Sequence, residues 1–397
     1  MPAEATVEPP WLKRQVEAQL RAETVARLKR THIYTSEEIV RIVGERYRRL
    51  RPRRQGKAGR IEYEHRRLET VFNIVYSRLS RAVEMPPPEK MSEFHRALID
   101  AFVGLEEYRV ALARVKRSLR LIREFWNQYR WLILTAQSPE EAARLRKEGS
   151  GRILSVVRRL RRQLELLKTV REELLRTHVV AEGLPIVVVA GIPSSGKSTL
   201  VSKLSTARPE VAAYPFTTKE VIVGKVVAND VAFYMVDTPG VLERPPEHQN
   251  VIERKALAAL STLPDIVVFL IDPSPEKVQD LDSQARLLRY ILDSIVSRRD
   301  VGLIVAVNKV DEVGDSEAEK ALRYILEASG LRLKESDSCR AALLLSALKG
   351  QGLGELVETI ARCLRRKMPW LFVSAGDKHP EYVGGTASRS HHLQRTP

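Results

Sequence analysis

Hydrophobic residues in the first 177 positions recur at intervals of three and four, which is the spacing of one face of an α-helix. The clearest stripe consists of Ile153, Val157, Leu160, Leu164, Leu167, Val170 and Leu174. We expect it to be buried, with Arg158, Arg159, Arg161 and Arg162 exposed beside it. Earlier helices are predicted over residues 12–30, 36–50, 61–83, 91–116 and 117–135, interrupted by the prolines of Met85–Met91. The pattern predicts an all-helical bundle.

After Gly183 the pattern changes to short runs rich in β-branched residues. Strands are predicted at Pro185–Ala190, Glu220–Val227, Val231–Val236, Asp265–Ile271, Gly302–Val307 and Ala341–Leu345. Helix-length segments separate most of them, which favours a mostly parallel sheet with helices on both faces. The two runs on either side of Ala228 are too close for a crossover and should form an antiparallel hairpin.

The expected fold class is therefore α + α/β. An N-terminal all-helical bundle occupies residues 1–180, and an α/β domain with a mostly parallel sheet flanked by helices occupies residues 181–372. Residues 373–397 are polar and aperiodic, so we expect a disordered tail.

The net positive charge of the chain lies entirely in the predicted bundle. Residues 1–180 contain 39 Lys and Arg against 23 Asp and Glu, whereas residues 181–397 contain 27 of each class. The segment Arg48–Arg60 has seven basic residues among thirteen and no acidic one, and Pro52, Gly56 and Gly59 predict a flexible loop. Such an asymmetry favours a surface for a polyanion, either nucleic acid or an anionic membrane. The alternative is a solvated helical region that is merely rich in arginine.

Two negative observations bear on the compartment. No run of about 18 uncharged apolar residues is present, and the N-terminus lacks the basic-then-apolar order of a secretory signal. Cys339 and Cys363 have neither metal-ligand spacing nor a disulfide framework, so we expect reduced thiols without a functional role. We therefore expect a cytoplasmic protein.

The segment GIPSSGKS, Gly191–Ser198, matches the P-loop pattern G-x-x-x-x-G-K-[ST] between a predicted strand and a predicted helix. The glycines allow backbone amides to point at phosphate oxygens, Lys197 neutralises the β and γ charges, and Ser198 is a ligand for Mg²⁺. The predicted phosphate-binding residues are Gly191, Ile192, Pro193, Ser194, Ser195, Gly196, Lys197, Ser198 and Thr199.

The segment DTPG, Asp237–Gly240, closes a predicted strand. Its carboxylate, that of Asp237, should hold the metal ion through water, and the Gly240 amide should meet the γ-phosphate. Thr217 and Thr218 follow the P-loop by about twenty residues. By analogy with switch loops, we expect Thr218 to complete the Mg²⁺ shell and to sense the γ-phosphate.

Two further segments predict which base is bound. In NKVD, Asn308–Asp311, the Asp311 carboxylate can accept from the ring N–H and the exocyclic amine of guanine, and adenine offers neither donor in that arrangement. Asn308 should bond the guanine edge or brace the loops, and the Lys309 stem should cover the ring. In SAL, Ser346, Ala347 and Leu348, the Ala347 amide is the expected donor to the guanine carbonyl. GTP or GDP is the predicted ligand.

These elements, in this order, resemble those of translation-factor-type GTPases. The stretch from YPFTTKE through VDTPGVLERPPEHQNVIER resembles the Nog-type nucleolar GTP-binding proteins, relatives of the Obg GTPases. Two segments of the predicted bundle, EEYRVALARVKRSLRLIREFW and GRILSVVRRLRRQLELLKTVREEL, resemble the helical N-terminal domain of that family. The similarity covers about residues 15–370, in a compact form like that of archaeal members, for which nucleolar residence is not expected.

The resemblance implies an assembly factor for the large ribosomal subunit whose helical domain contacts ribosomal RNA and which is monomeric off the ribosome. Val241 stands where many GTPases carry a glutamine that orients the attacking water, so hydrolysis of GTP to GDP should be slow alone and rise on ribosomal particles. Ser194 stands where relatives often carry an asparagine that helps hold a monovalent cation, so potassium stimulation is not implied.

Two other functions are compatible with these observations. The first is a nucleotide-dependent placeholder that acts by occupying ribosomal particles, with hydrolysis incidental. The second is a GTPase that uses its basic helices on an anionic membrane. We favour it less, because no helix carries the broad apolar face that surface insertion requires.

Overall fold

The computed structural model describes residues 10–176, 184–213, 220–228, 231–237, 261–297, 301–333 and 339–371. Seven helices precede the sheet: α1 (Pro10–Arg30), α2 (Ser36–Arg48), α3 (Gly56–Val83), α4 (Glu93–Phe102), α5 (Leu105–Leu134), α6 (Pro139–Arg159) and α7 (Arg161–Leu175). The predicted all-helical N-terminal region is confirmed. The predicted boundaries at residues 180/181 and 372/373 fall outside the described residues, as does the predicted tail.

Side-chain caps explain where several of these helices begin. Thr35 and Glu38 form a reciprocal capping box at the start of α2, and the hydroxyls of Ser92 and Ser138 accept from the backbone amides at the starts of α4 and α6. Such caps satisfy amides that have no partner inside the helix.

Two predicted helix boundaries are wrong. The chain does not break between residues 116 and 117 but at Gly104, whose φ of 94° separates α4 from α5. The stripe from Ile153 to Leu174 is buried, as predicted, and the four arginines beside it are exposed. It is nevertheless divided between α6 and α7 at Leu160. Hydrophobic spacing continued through this junction, so the break left no signal in the pattern.

The basic segment between α2 and α3 is shorter than predicted. Helix α3 begins at Gly56, so Gly56 and Gly59 are helical and the connection is residues 49–55. The arginines and the lysine of Arg48–Arg60 are all exposed. A basic surface at this position is therefore present, partly on a loop and partly on the first turn of α3.

The second half of the chain forms a seven-stranded sheet. Its strands are β1 (Ile186–Gly191), β2 (Glu210–Ala213), β3 (Glu220–Ala228), β4 (Val231–Asp237), β5 (Ile266–Ile271), β6 (Gly302–Val307) and β7 (Arg340–Leu344), in the spatial order β2-β3-β4-β1-β5-β6-β7. The strands β4, β1, β5, β6 and β7 are parallel, and β3 pairs antiparallel with β4 as predicted. Strand β2, at the edge, was not predicted.

The helices that accompany the sheet are α8 (Lys197–Leu204), α9 (Leu281–Ile291), α10 (Asp315–Ser329) and α11 (Leu353–Lys367). Side chains of β1 alternate between two cores: Val188 belongs to a cluster that continues into the helical bundle, whereas Val187 and Val189 belong to a second cluster beneath α8 and α11. Burial of both faces explains why the parallel strands are continuously apolar.

An ion pair also joins the two halves of the chain. Arg14 of α1 donates to Asp265 Oδ1 at 2.9 Å, and Asp265 Oδ2 accepts from the amide of Ile186 at 2.9 Å. Asp265 is 6% exposed. This carboxylate therefore links α1 of the bundle to the first residue of β1. No helix in the described part of the chain is long and apolar enough to cross a membrane.

The expectation of two reduced cysteines is wrong. Cys339 and Cys363 form a disulfide that joins the residue before β7 to α11, with their Cα atoms 4.8 Å apart. A separation of 24 residues along the chain gave no indication that these positions meet. The bond attaches the C-terminal helix to the edge of the sheet.

Reduction of this disulfide should lower the free energy of unfolding by about 3 kcal/mol, because it releases a loop of 24 residues in the unfolded chain. Denaturant unfolding with and without a reductant measures the difference. The Cys339→Ser, Cys363→Ser variant is the control, because its stability should not respond to reductant. Equal midpoints for the oxidised and reduced wild-type protein would contradict the expectation.

Candidate nucleotide-binding site

The P-loop follows β1 and leads into α8, at the carboxyl end of the parallel strands. Gly191 and Gly196 have φ angles of 147° and 93°. A Cβ at Gly191 would lie 2.6 Å from the carbonyl oxygen of Leu270, and one at Gly196 would lie 2.2 Å from Asn308 Nδ2. Both positions therefore require glycine for space as well as for conformation. The resulting loop precedes a helix N-terminus, the arrangement that binds phosphate.

The residues between these glycines differ in exposure. Ser194 has a positive φ of 63°, a conformation that asparagine adopts more readily than serine. Ile192 and Ser195 are fully buried, and the Ser195 hydroxyl has no hydrogen-bond partner among the described residues. Pro193 and Thr199 are half-buried. Compared with an asparagine at position 194, Ser194 lacks a side-chain amide and is less suited to a positive φ.

Lys197 is buried at the base of the loop. Its ammonium group donates to the carbonyl oxygens of Gly191 at 3.0 Å and Ile192 at 2.8 Å. The side chain is only 5% exposed, so its charge is concentrated at the inner wall of the cradle. A buried cation at this point suits an anionic ligand.

Ser198 and Asp237 meet at the predicted metal position. The Ser198 hydroxyl donates to Asp237 Oδ2 at 2.5 Å, because β4 is the neighbour of β1 and Asp237 is its last residue. A hydroxyl and a buried carboxylate are the oxygen ligands that Mg²⁺ prefers, so the pair fits that ion. Thr217, Thr218, Gly240 and Val241 lie outside the described residues.

Asn308 connects the phosphate loop to the expected base-binding segments. Its Nδ2 donates to the Ser195 carbonyl oxygen at 2.8 Å, and its Oδ1 accepts from the Ala347 amide at 2.8 Å. Of the two roles predicted for Asn308, this is the bracing one. The Ala347 amide, expected to meet the guanine carbonyl, is thus engaged by Asn308 in this structure.

The remaining predicted base-binding residues surround Asn308. Asp311 is exposed on the short helix Val310–Val313, and its carboxylate has no hydrogen-bond partner among the described residues. Ser346 is buried and its hydroxyl accepts from the Lys349 amide at 3.1 Å. The Leu348 side chain is 61% exposed beside it. Asp311 is accordingly available to accept hydrogen bonds from a base.

Asp272, which the sequence reading did not select, holds Lys309. The Lys309 ammonium lies 2.7 Å from Asp272 Oδ2 and 3.3 Å from the Ser274 hydroxyl. Asp272 is fully buried, and Gln284 bonds both its backbone amide and its carbonyl oxygen at 2.9 Å. Lys309 itself has a positive φ of 61°. A fixed anion therefore determines the direction of the lysine that should cover the base.

A signal for Asp272 was present in the sequence. It follows β5 directly, just as Asp237 ends β4, and polar residues at the carboxyl ends of parallel strands line ligand sites in such sheets. Asp272 lies outside the four motifs, so it was not predicted.

The ion pair can be tested by a double-mutant cycle. Asp272→Asn and Lys309→Met should each raise the Kd for GDP about tenfold, because each removes a charge-assisted hydrogen bond. The double variant should bind no more weakly than either single one, since both lose the same interaction. Calorimetric titration gives the Kd values. Glu312→Gln, which changes an exposed carboxylate on the same short helix, is the control and should bind normally; additive losses would show that the pair does not act as a unit.

Family models divide the chain as the structure does. Residues 29–180 match a model described as the NOG1 N-terminal helical domain. Residues 186–309 match a model described as a 50S ribosome-binding GTPase. The two matches together run from α1 to the NKVD segment.

Three proteins illustrate the similarity. An uncharacterized protein of Methanocaldococcus jannaschii is 33% identical over 253 residues, covering 64% of this chain and 70% of its own. Nucleolar GTP-binding protein 1 of Kluyveromyces lactis is 28% identical, covering 66% of this chain and 41% of its own. A crystal structure of a nucleolar GTP-binding protein 1 from Plasmodium falciparum is 22% identical, with a TM-score of 0.37, and covers 48% of this chain and 91% of that chain.

The similarity covers only part of the longer relatives, and the names of these relatives correct the expected localisation. This chain spans less than half the length of the Kluyveromyces lactis protein that it matches. The expectation of a cytoplasmic protein, in which nucleolar residence was not expected, is wrong. Relatives from Kluyveromyces lactis, Drosophila melanogaster and Saccharomyces cerevisiae are named nucleolar GTP-binding proteins, which points to the nucleolus in eukaryotes.

The assignment rests on the sequence matches on both sides of residue 181 and on the P-loop geometry. The chain belongs to the Nog1 family of nucleolar GTP-binding proteins and is a GTP-binding GTPase.

Proposed function

We propose that this protein hydrolyses GTP to GDP with Mg²⁺ and acts as an assembly factor for the large ribosomal subunit, binding ribosomal RNA through its basic helical domain. The domains we propose are residues 1–180 for RNA binding, residues 181–372 for the GTPase and residues 373–397 for a tail. One observation carries the nucleotide part: the Asn308 side chain bonds both the P-loop and the Ser346–Leu348 segment. The phosphate and base subsites therefore belong to one pocket.

Each proposed contact follows from the chemistry of its residue. Lys197 and the P-loop amides would bind the phosphates, and Asp311 would select guanine by accepting from its two donors. Ser198 and Asp237 would hold Mg²⁺, which when bound neutralises charge on the β- and γ-phosphates. We propose that Thr218 completes the metal shell and that the Gly240 amide contacts the γ-phosphate.

Hydrolysis should be slow in the isolated protein. Val241 follows the DTPG segment, and an apolar side chain cannot orient a water molecule for attack. The water-positioning group must then come from the particle on which the protein acts. The presence of the γ-phosphate would order the Thr218 and Gly240 segments, so the protein surface would differ between the GTP-bound and GDP-bound forms.

The charge of the helical domain supports RNA as the partner. The surplus of 16 positive charges in residues 1–180 follows from 39 basic and 23 acidic residues. The exposed basic residues of Arg48–Arg60 form a surface that suits phosphates. The GTPase family that residues 186–309 match is described as a 50S ribosome-binding GTPase, which is consistent with a ribosomal partner. We propose a monomer off the ribosome.

Turnover measurements test this proposal. GTP hydrolysis should be slow for the protein alone and should rise at least about tenfold when purified large subunits are added. Lys197→Ala is the control for contaminating activity and should abolish both rates. Fast hydrolysis by the isolated protein, or no response to large subunits, would contradict the proposal.

A placeholder role is distinguished by trapping. If hydrolysis drives release, a non-hydrolysable GTP analogue should retain the protein on particles during sedimentation, whereas GTP should not. Equal retention with both nucleotides would favour a placeholder with incidental hydrolysis. Sedimentation with anionic liposomes addresses the membrane alternative, for which we expect no binding.

A further inference from the structure

Helices α3 and α5 run antiparallel and define two ends of the bundle. Near one end, the Tyr108 hydroxyl donates to the Pro86 carbonyl oxygen at 2.8 Å, and Arg109 lines the same cleft as Thr262, which precedes β5. Toward the other end, the rings of His65 and Trp126 lie 5.4 Å apart. The start of α3 and the end of α5 therefore form the end of the bundle that lies away from the cleft with Thr262, and we call it the distal end. Helix α5 has 30 residues and is about 45 Å long.

The distal end carries exposed apolar side chains. Trp131 is 60% exposed, and Leu132 and Leu134 are 41% and 48% exposed. Indole rings are normally well buried in soluble domains, so an exposed tryptophan at the end of a helix indicates a contact surface. Trp131 lies about one turn beyond Trp126, level with the first turns of α3.

The basic connection between α2 and α3 lies at this same end. The Tyr63 hydroxyl donates to the Leu50 carbonyl oxygen at 3.2 Å, which holds the connection against the start of α3. Arg146 of α6 donates to Glu64 Oε2 of α3 at 2.7 Å, and each of these residues lies in the first three turns of its helix. The starts of α3 and α6 are therefore neighbours, and the arginines of Arg48–Arg60 lie near the end of α5.

The chemistry of this end favours unpaired nucleic-acid bases. The Arg130 guanidinium lies 5.4 Å from the Trp131 ring centroid, so one side of the indole carries a cation and the rest stays exposed. Bases in single strands stack on aromatic rings and on guanidinium planes while their phosphates contact nearby cations. Six of the seven cations of Arg48–Arg60 are arginines, which suit phosphate geometry.

A lipid surface fits these observations less well. Membrane insertion requires a broad apolar face, whereas the large apolar residues exposed at the distal end, Trp131, Leu132 and Leu134, occupy only the last turn of α5. The longer exposed side of α5 toward Trp131 carries Lys116, Arg117 and Arg120, which form no ion pair among the described residues. Positive charge beside a small aromatic patch matches a folded RNA with an unpaired base more closely than a bilayer.

We propose that the distal end of the bundle is a base-stacking site for single-stranded or looped RNA, in which Trp131 stacks on an unpaired base while arginines of Arg48–Arg60 contact the flanking phosphates. This inference rests on the proposed function, because it specifies which surface of the helical domain meets RNA and which structural feature of RNA it reads.

The test compares single-stranded and duplex RNA. A fluorescein-labelled oligonucleotide of about 12 nucleotides, alone and annealed to its complement, is titrated with the full-length protein in an anisotropy assay. Trp131→Ala should weaken binding of the single strand about tenfold and leave duplex binding and its salt dependence unchanged. The double substitution Arg53→Gln, Arg54→Gln should weaken both and reduce the single-strand salt slope by about 1.4.

Two controls make the outcomes distinguishable. Tyr324→Ala removes an aromatic ring that is 43% exposed on α10 and should change neither affinity. Trp131→Phe retains a ring and should restore most of the lost binding. If the wild-type protein binds no RNA, the proposed RNA-binding function is refuted. If it binds RNA and Trp131→Ala has no effect, or weakens only binding to anionic vesicles containing about 30% phosphatidylserine, the stacking site alone is refuted.

Discussion

Replacing Asp311 with asparagine should weaken GDP binding by at least about 10³-fold and should create measurable binding of xanthosine diphosphate. The carboxylate is exposed and has no hydrogen-bond partner among the described residues, so it is available to accept from guanine. An asparagine could still accept from one guanine donor through Oδ1, but its N–H group would face the other donor and leave that one unpaired. Xanthine has a carbonyl where guanine has its amine, so it can accept from that N–H.

The measurement is a competition assay in which a fluorescent GDP analogue is displaced by each nucleotide. The neighbouring Glu312→Gln substitution is the control, because it removes an exposed carboxylate from the same short helix at a position to which no contact with the base is assigned. Unchanged discrimination between guanine and xanthine in the Asp311→Asn variant would show that position 311 does not read the base.

A second large effect concerns acid stability. Burial and, to a smaller extent, the charge of Arg21 together lower the pKa of His95 from 6.5 to about 3. Between these values the unfolded chain binds a proton that the folded protein does not, so the free energy of unfolding must fall as the pH falls. We expect this histidine to cost about 1.4 kcal/mol per pH unit below pH 6.5, or about 4 kcal/mol by pH 3.5.

Denaturant unfolding between pH 7 and pH 4.5 provides the slope. The His95→Gln variant cannot take up this proton, so its stability should fall less steeply, whatever its stability at pH 7. Ser92→Ala removes the hydroxyl that lies 2.7 Å from His95 Nδ1 but leaves the histidine, so it should keep the steep slope. Parallel slopes for the wild type and His95→Gln would contradict the assigned burial effect.

Local patterns predicted most of the fold, because they report on burial and backbone freedom. Short runs rich in β-branched residues identified six of the strands, and the helical stripe of Ile153–Leu174 is buried as expected. The break at Leu160 and the separation of α4 from α5 at Gly104, a residue with a φ of 94°, are changes of backbone direction that hydrophobic spacing does not encode. Strand β2 forms only at the sheet edge, where pairing with β3 determines it.

The candidate site was likewise predicted only in part. The P-loop and NKVD were identifiable because fixed spacing within a short segment determines their geometry. The contacts of Asp272 with Lys309 and of Asn308 with Ala347 join residues 37 and 39 positions apart, so only the sheet topology brings them together. The disulfide between Cys339 and Cys363 escaped prediction for that reason as well.

The central claim is that Lys197 and Asp311 bind the two ends of one guanine nucleotide. Isothermal titration of the folded protein with GDP and with ADP, each with Mg²⁺, tests it most directly. We predict tight binding of GDP and an affinity for ADP at least about 10³-fold lower, because adenine leaves the Asp311 carboxylate without its donors. Equal affinities for the two nucleotides, or no binding of either, would contradict the account.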